Sequence, residues 1–242
     1  MTTSQPSAPV IDLRSALAPV RDQGQRGTCL AFAVTAAHEV SRISPPPPED
    51  LSEEALYWGC KRTDGNWARG TSFRSAAVAI GRWGQPLEAT WPYDALRPDG
   101  AEYKPPVRAG GTGWIRSGLR RVALGPDDVR AYLDAGVPVA IGLTLFDTFG
   151  RPDATGRIRD PPAGAPRRGG HAVLAVGHQP AEILIRNSWG DTWALGGYAW
   201  ISDGYVRSYA SGAWIIDTTA SSGGPTGAVH TGEDQERTYG SR

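Results

Sequence analysis

The chain has 242 residues, with 25 basic and 25 acidic side chains and a formal net charge of +0. That length supports one large domain or two small lobes around a sizeable core, and the balance of charge removes the electrostatic footprint expected of a nucleic-acid or anionic-membrane binder. Only two cysteines occur, Cys29 and Cys60, too few for a disulfide scaffold, which points to a reducing compartment.

Residues 1–10 are polar and proline-rich, with neither a basic nor an apolar stretch of a signal peptide, so a cytoplasmic location is expected. A helix is predicted over Cys29–Ile43, where Leu30, Ala33, Val34, Ala37 and Val40 recur at helical spacing behind Thr28 as an N-cap. Pro45–Pro48 stop it. Leu51-Ser-Glu-Glu54 opens a second helix from Ser52, and a third is predicted over Thr71–Trp83, ended by Gly84 and Pro86. From about residue 112 the pattern turns to strands. Pro126–Gly136 reads as one more helix, and Val137–Leu145 as a buried strand. His171–His178 and Ile183–Asn187 form a hairpin about Gln179–Glu182. Strands are also expected at Gly197–Ser202 and Ala213–Asp217, and residues 219–242 carry no periodicity and read as a disordered tail. Helices first and strands later define an α+β chain of two lobes, about 12–111 and about 112–218, with a site in the cleft between them.

The chemistry concentrates in two segments, Val20-Arg-Asp-Gln-Gly-Gln-Arg-Gly-Thr-Cys-Leu-Ala-Phe32 and His171-Ala-Val-Leu-Ala-Val-Gly177 running to Asn187-Ser-Trp-Gly190. A thiol needs a helix N-terminus or a neighbouring imidazolium to become a thiolate. Cys29 meets the first condition by position. Of the four histidines, His230 lies in the tail, and His38 lies too far along the first helix to touch the thiol locally. His171 and His178, seven apart in one strand, should face opposite sides of the sheet. Asn187, ending the hairpin's second strand, favours His171, because a base needs a third group to fix its tautomer. Trp189 and Trp193 can shield that bond, and Gln23 can aim an amide N–H at a developing oxyanion beside the Cys29 N–H. Cys60, Asp12 and Asp22 read as structural or surface residues. No metal-ligand spacing, phosphate loop or membrane span is present, so no metal and no cofactor are expected.

Gln-Gly-x-x-Gly-Thr-Cys-x-Ala-Phe, then His-Ala-Val-x-x-Val-Gly, then Asn-Ser-Trp-Gly-x-x-Trp, resembles the papain family of cysteine peptidases, as do Leu51-Ser-Glu-Glu54 and Trp91-Pro-Tyr93. His171 follows Cys29 by 142 residues and Asn187 follows it by 158, against the family's roughly 130–150. The resemblance covers about Asp12 to Asp217. It implies a helical left lobe, a β-barrel-like right lobe and a cleft between them. It also implies Cys29 as nucleophile, His171 as acid and base, Asn187 as orienter and Gln23 as oxyanion donor. Gly27, Gly70, Thr71, Gly142, Gly170, Ala172 and Trp189 would line the substrate path, with Thr71, Gly142 and Ala172 leaving room for a bulky apolar side chain.

Four departures stand out. Arg26 replaces the family's cysteine three residues before the nucleophile, so its usual bridge is absent, and Leu30 replaces an aromatic residue. Arg69 stands in a degenerate Gly-Gly strand, Ala68-Arg-Gly-Thr71, where it would narrow the cleft or favour acidic groups. Only 28 residues precede Cys29, so the chain starts like a mature enzyme, with control left to a protein regulator or narrow specificity. The expected activity is endopeptidase hydrolysis of a peptide or protein substrate through an acyl-enzyme. The alternatives are another thiol acyl-transfer enzyme (transpeptidase, deamidase or amide hydrolase) or a catalytically silent binding protein.

Overall fold

A computed structural model of the chain describes residues 11–42, 49–110, 114–217 and 238–240. The predicted stop at Pro45–Pro48 lies outside these residues. The first half carries three helices, α1 (Cys29–Val40), α2 (Glu53–Asp64) and α3 (Phe73–Arg82). The second half is a sheet of β2 (Gly118–Val122), β3 (Val139–Leu145), β4 (Gly169–Gln179), β5 (Glu182–Arg186), β6 (Tyr198–Ser202) and β7 (Ala210–Asp217). It also holds α4 (Pro126–Asp134) and α5 (Asp203–Tyr209). The strands run in the order β2-β7-β3-β4-β5-β6, and a two-residue β1 (Ile11–Asp12) pairs with the far end of β4. The α+β architecture is the expected one, but β1, β2 and α5 have no clear sequence signal.

α1 is the axis of the molecule. All its residues but Val40 are buried, as for a helix surrounded by protein rather than lying on a surface. Its alanines at 31, 33, 36 and 37 have no side chain beyond Cβ, so the backbone of β4 can approach closely. The helix ends at Val40, three residues earlier than its periodicity predicts. Thr28 stands at its N-cap but does not cap it, because its hydroxyl is bonded to the Tyr93 hydroxyl at 2.7 Å. Ser52 and Ser72 do cap α2 and α3, accepting from the N–H of Ala55 and Ser75. The third helix therefore begins two residues later than predicted and leaves Thr71 in extended chain.

β3 is buried along its whole length and sits between β7 and β4 in antiparallel register, with Leu143 opposite His171 and Gly142 opposite Ala172. The hairpin of β4 and β5 turns at Pro180–Ala181, where Ala181 takes φ 64°. A register shift between Ala175 and Gly177 interrupts the alternation along β4. The expectation that His171 and His178 face opposite sides fails for this reason. His178 comes to Asp134 at 2.8 Å on α4, the helix that packs on the side of Val173 and Ala175.

The tail also differs from its expected disorder in one short stretch. Thr238-Tyr-Gly240 returns to the body of the protein, where Tyr239 pairs with Thr71 and is 4% exposed. Backbone pairing needs no side-chain pattern, so the lack of periodicity hid it.

Candidate active site

Cys29 is the first residue of α1, so its side chain stands at the positive end of a twelve-residue helix. Its Sγ accepts a hydrogen bond at 3.4 Å from the N–H of Ala172, the residue after His171. The fold thus carries the thiol to the backbone of β4. Both Cys29 and His171 are 0% exposed. Burial pushes the Cys29 thiol up to about 12, with the Ala172 N–H pulling the other way.

His171 Nε2 lies 2.7 Å from Asn187 Oδ1. That oxygen also accepts from the Ser188 N–H at 2.9 Å, so it is an acceptor, and the ring nitrogen facing it carries the proton. Nδ1 is then the nitrogen able to exchange a proton with a thiol. Asn187 reaches this place because it follows β5 directly, and the antiparallel pairing with β4 sets the hairpin's two strands side by side. The imidazole sits in an aromatic cage. Trp189 lies 5.0 Å away between centroids and Phe149 lies 5.6 Å away, while Trp193 stacks on Phe149. Trp189 and Trp193 were expected in this role; Phe149, from the loop after β3, was not, because nothing near it in sequence marks it.

Gln23 is buried beside the start of α1. Its Oε1 accepts from the Ser188 hydroxyl at 2.6 Å, and its Nε2 donates to the Arg26 carbonyl at 2.6 Å. A primary amide has two N–H donors, so one remains for a ligand. Ser188 was part of the Asn-Ser-Trp motif, yet its task is visible only in space: its hydroxyl reaches Gln23, 165 residues away, while its N–H donates to Asn187 Oδ1.

Arg26, which stands where the family carries cysteine, is buried and pairs with Glu54 of α2 at 2.5 and 3.1 Å. Its guanidinium also lies over the rings of Tyr57 and Tyr93. A salt bridge therefore ties the Cys29 loop to α2 without a disulfide. Cys29 and Cys60 are both free. Arg69 is held by Asp99 at 2.7 Å and by the Gln25 carbonyl at 2.5 Å. It braces the wall of the cleft, and its charge already has a carboxylate, which weakens the case for acidic substrate groups.

The remaining expected lining residues converge on one channel. A Cβ added to Gly27 would meet Gly70 N and Arg69 Cγ, and one on Gly70 would meet the Tyr239 carbonyl at 2.6 Å. One on Gly170 would meet the Thr238 carbonyl at 2.8 Å, and one on Gly142 would run into the Tyr239 ring. Thr71 exchanges two backbone hydrogen bonds with Tyr239, and Ala172 packs in the same buried cluster. No group of three or more His, Cys, Asp or Glu side chains placed to hold a metal occurs among the described residues. His38, also buried, is engaged elsewhere: it bonds Gln85 at 2.9 Å, and burial lowers it to about 4.

Residues 8–216 match the family model of the papain family cysteine proteases, and the chain belongs to that family. It is 30% identical over 201 residues to papain of Carica papaya, covering 81% of this chain and 54% of papain's sequence. It is 27% identical over 227 residues to an uncharacterized peptidase C1-like protein of Acanthamoeba polyphaga mimivirus, covering 86% and 72%. The chain thus spans about half the length of papain's sequence. Among solved structures it resembles xylellain, a cysteine protease from Xylella fastidiosa, with a TM-score of 0.78, 28% identity, and 87% and 86% of the two chains covered. A Carica candamarcensis cysteine protease in complex with E-64 matches with a TM-score of 0.66 at 25% identity, covering 86% of this chain and 97% of the other.

Proposed function

We propose that the protein is a thiol endopeptidase acting on extended peptide segments in a reducing compartment. The observation that supports it most is the Cys29–Ala172 contact together with the His171–Asn187 bond, which gathers a helix-terminal thiol, a tautomer-fixed imidazole and an orienting amide. In this reading His171 takes the Cys29 proton through Nδ1, and the thiolate attacks the scissile carbonyl carbon. The carbonyl oxygen becomes an oxyanion held by the Cys29 N–H and the spare Gln23 N–H. The imidazolium then protonates the leaving amine as the C–N bond breaks, giving a thioester. Water, deprotonated by His171, attacks the thioester, releases the carboxylate product and restores the thiol. The Phe149–Trp189–Trp193 cage keeps water from the His171–Asn187 bond, so the ring keeps its orientation through both steps.

Cys29→Ala should lower peptide turnover by more than about 1,000-fold while far-ultraviolet circular dichroism stays unchanged. An epoxide-bearing thiol reagent should label the parent once, at Cys29. Turnover surviving in Cys29→Ala at the parent rate would contradict the reading. Adding an amine during turnover separates hydrolysis from acyl transfer, because a transpeptidase gives the amide product in place of the acid.

A further inference from the structure

The channel that converges on Cys29 is already filled, by the protein itself. Tyr239 N–H donates to the Thr71 carbonyl at 2.8 Å and the Thr71 N–H donates to the Tyr239 carbonyl at 3.1 Å. The Gly240 N–H donates to the Gly170 carbonyl at 3.1 Å, directly before His171. Three main-chain bonds thus hold an extended segment between the two walls of the cleft, two to Thr71 and one to Gly170, as a peptide added to a strand edge is held.

The side chains fit as well. The Tyr239 ring meets Phe73 edge-on at 5.2 Å between centroids, and Phe73 itself stacks on Trp214 at 5.6 Å. The ring covers Gly142, and its hydroxyl pairs with Ser211 Oγ at 2.6 Å at the end of the pocket. The next residue, Gly240, is wedged: a Cβ there would meet Gly70 Cα at 2.6 Å and Gly27 Cα at 3.0 Å. Only glycine passes this gap. In the other direction Thr238 opens onto a groove of about 560 Å³ bordered by Asp64, Arg74 and Val78. Of the three residues, Gly240 touches both the loop that ends in Cys29 and the residue before His171, so the chain runs towards the thiol in the order Thr, Tyr, Gly.

We propose that Thr238-Tyr-Gly240 is an intramolecular ligand of the cleft, seated along the path of the substrate, and that an incoming peptide must displace it. The inference deepens the peptidase reading and rests on it for the identity of the cleft. The segment's last residue, Gly240, lies against Gly27 and Gly170, the residues that lead to Cys29 and His171. The seated residues also name a substrate class: peptides with tyrosine fitted to the pocket of Phe73, Gly142 and Ser211, followed by glycine. The regulator expected of a separate partner would then be part of the chain.

The test uses full-length Cys29→Ala, which cannot turn over, and a fluorescent Thr-Tyr-Gly amide followed by anisotropy. Tyr239→Ser removes the anchor. Gly240→Val evicts the segment by bulk alone and leaves the pocket's own residues intact, so it serves if Tyr239→Ser proves unstable. Both should bind the peptide at least about tenfold more tightly than Cys29→Ala alone, since the tethered competitor is gone. A Thr-Ser-Gly peptide should lose that gain. Equal affinity in all three proteins, or equal binding of the two peptides, overturns the proposal. The peptidase reading fails separately: the peptide binds the opened variants tightly, yet Tyr239→Ser with Cys29 present hydrolyses no Tyr-Gly substrate.

Discussion

The two halves of the molecule are held together by different physics. In the helical half, charge is buried. Arg21 reaches Glu39 and Glu53 at 2.8 and 2.9 Å, Arg26 reaches Glu54 at 2.5 Å, and Lys61 reaches Asp64 at 2.8 Å. Burial drives the Glu53 carboxyl well above the usual range, against the pull of Arg21. In the sheet half the corresponding core is aliphatic and aromatic, with Val139, Ile141, Leu143, Val173, Ile183 and Ile185 at its centre. The difference decides how each half places its part of the site. Cys29 is aimed by ion pairs that fix the loop before α1. His171 and Asn187 are aimed by strand register and by rings packed around them. The helical half should therefore be sensitive to single charge changes and to acid, and the sheet half to neither.

The largest effect should come from breaking the buried pair. Glu54→Leu leaves Arg26 charged and enclosed, at a cost of about 3–5 kcal/mol, read from the urea midpoint. Adding Arg26→Met should recover most of it, and a single-variant loss below about 1 kcal/mol would erase the contrast between halves. Acid comes next. Burial lowers His38 to about 4 in the folded protein, against the ordinary imidazole value of about 6.5 when free. As pH falls from about 6.5 to about 4, the unfolded chain gains a proton that the folded chain refuses. Stability contributed by the neutral ring, about 3 kcal/mol in all, is lost over that window. Glu39 and Glu53, whose carboxyls are raised by burial, act in the opposite sense. The comparison of parent with His38→Gln isolates the histidine: the variant should lose less stability between pH 7 and 4.5, and identical slopes would refute it. The smallest effect should be Ile141→Val in the sheet, about 0.5–1.5 kcal/mol and the same at both pH values; a cost that changed with pH would show that the sheet half shares the charge dependence.

The same contrast explains what could be read from the sequence. Cys29, His171, Asn187 and Gln23 were legible because each sits in a short motif whose residue types have few other uses together. The helices and main strands were legible because one face of each is apolar at a fixed period. Arg26–Glu54 was not, since a buried pair 28 residues apart looks like two surface charges until the chain is folded. Thr28 looked like a cap because capping is what threonine does locally, but Tyr93, 65 residues on, claims its hydroxyl. His178 was misplaced because a bulge alters alternation without leaving a mark in composition. Tyr239 was missed because main-chain pairing carries no periodic signal and its pocket draws on α3, β3 and β7 together.

The central claim we propose is that Cys29 reacts as a thiolate with His171 as its base, against the burial that pushes the thiol up. The direct measurement is the rate of Cys29 alkylation by iodoacetamide against pH, in the full chain carrying Tyr239→Ser, with and without His171→Ala. The account predicts an apparent pKa for Cys29 clearly below the roughly 8.5 of a free thiol, returning to or above that value when His171 is removed. A single rise at or above the free-thiol value, identical in both proteins, would contradict it.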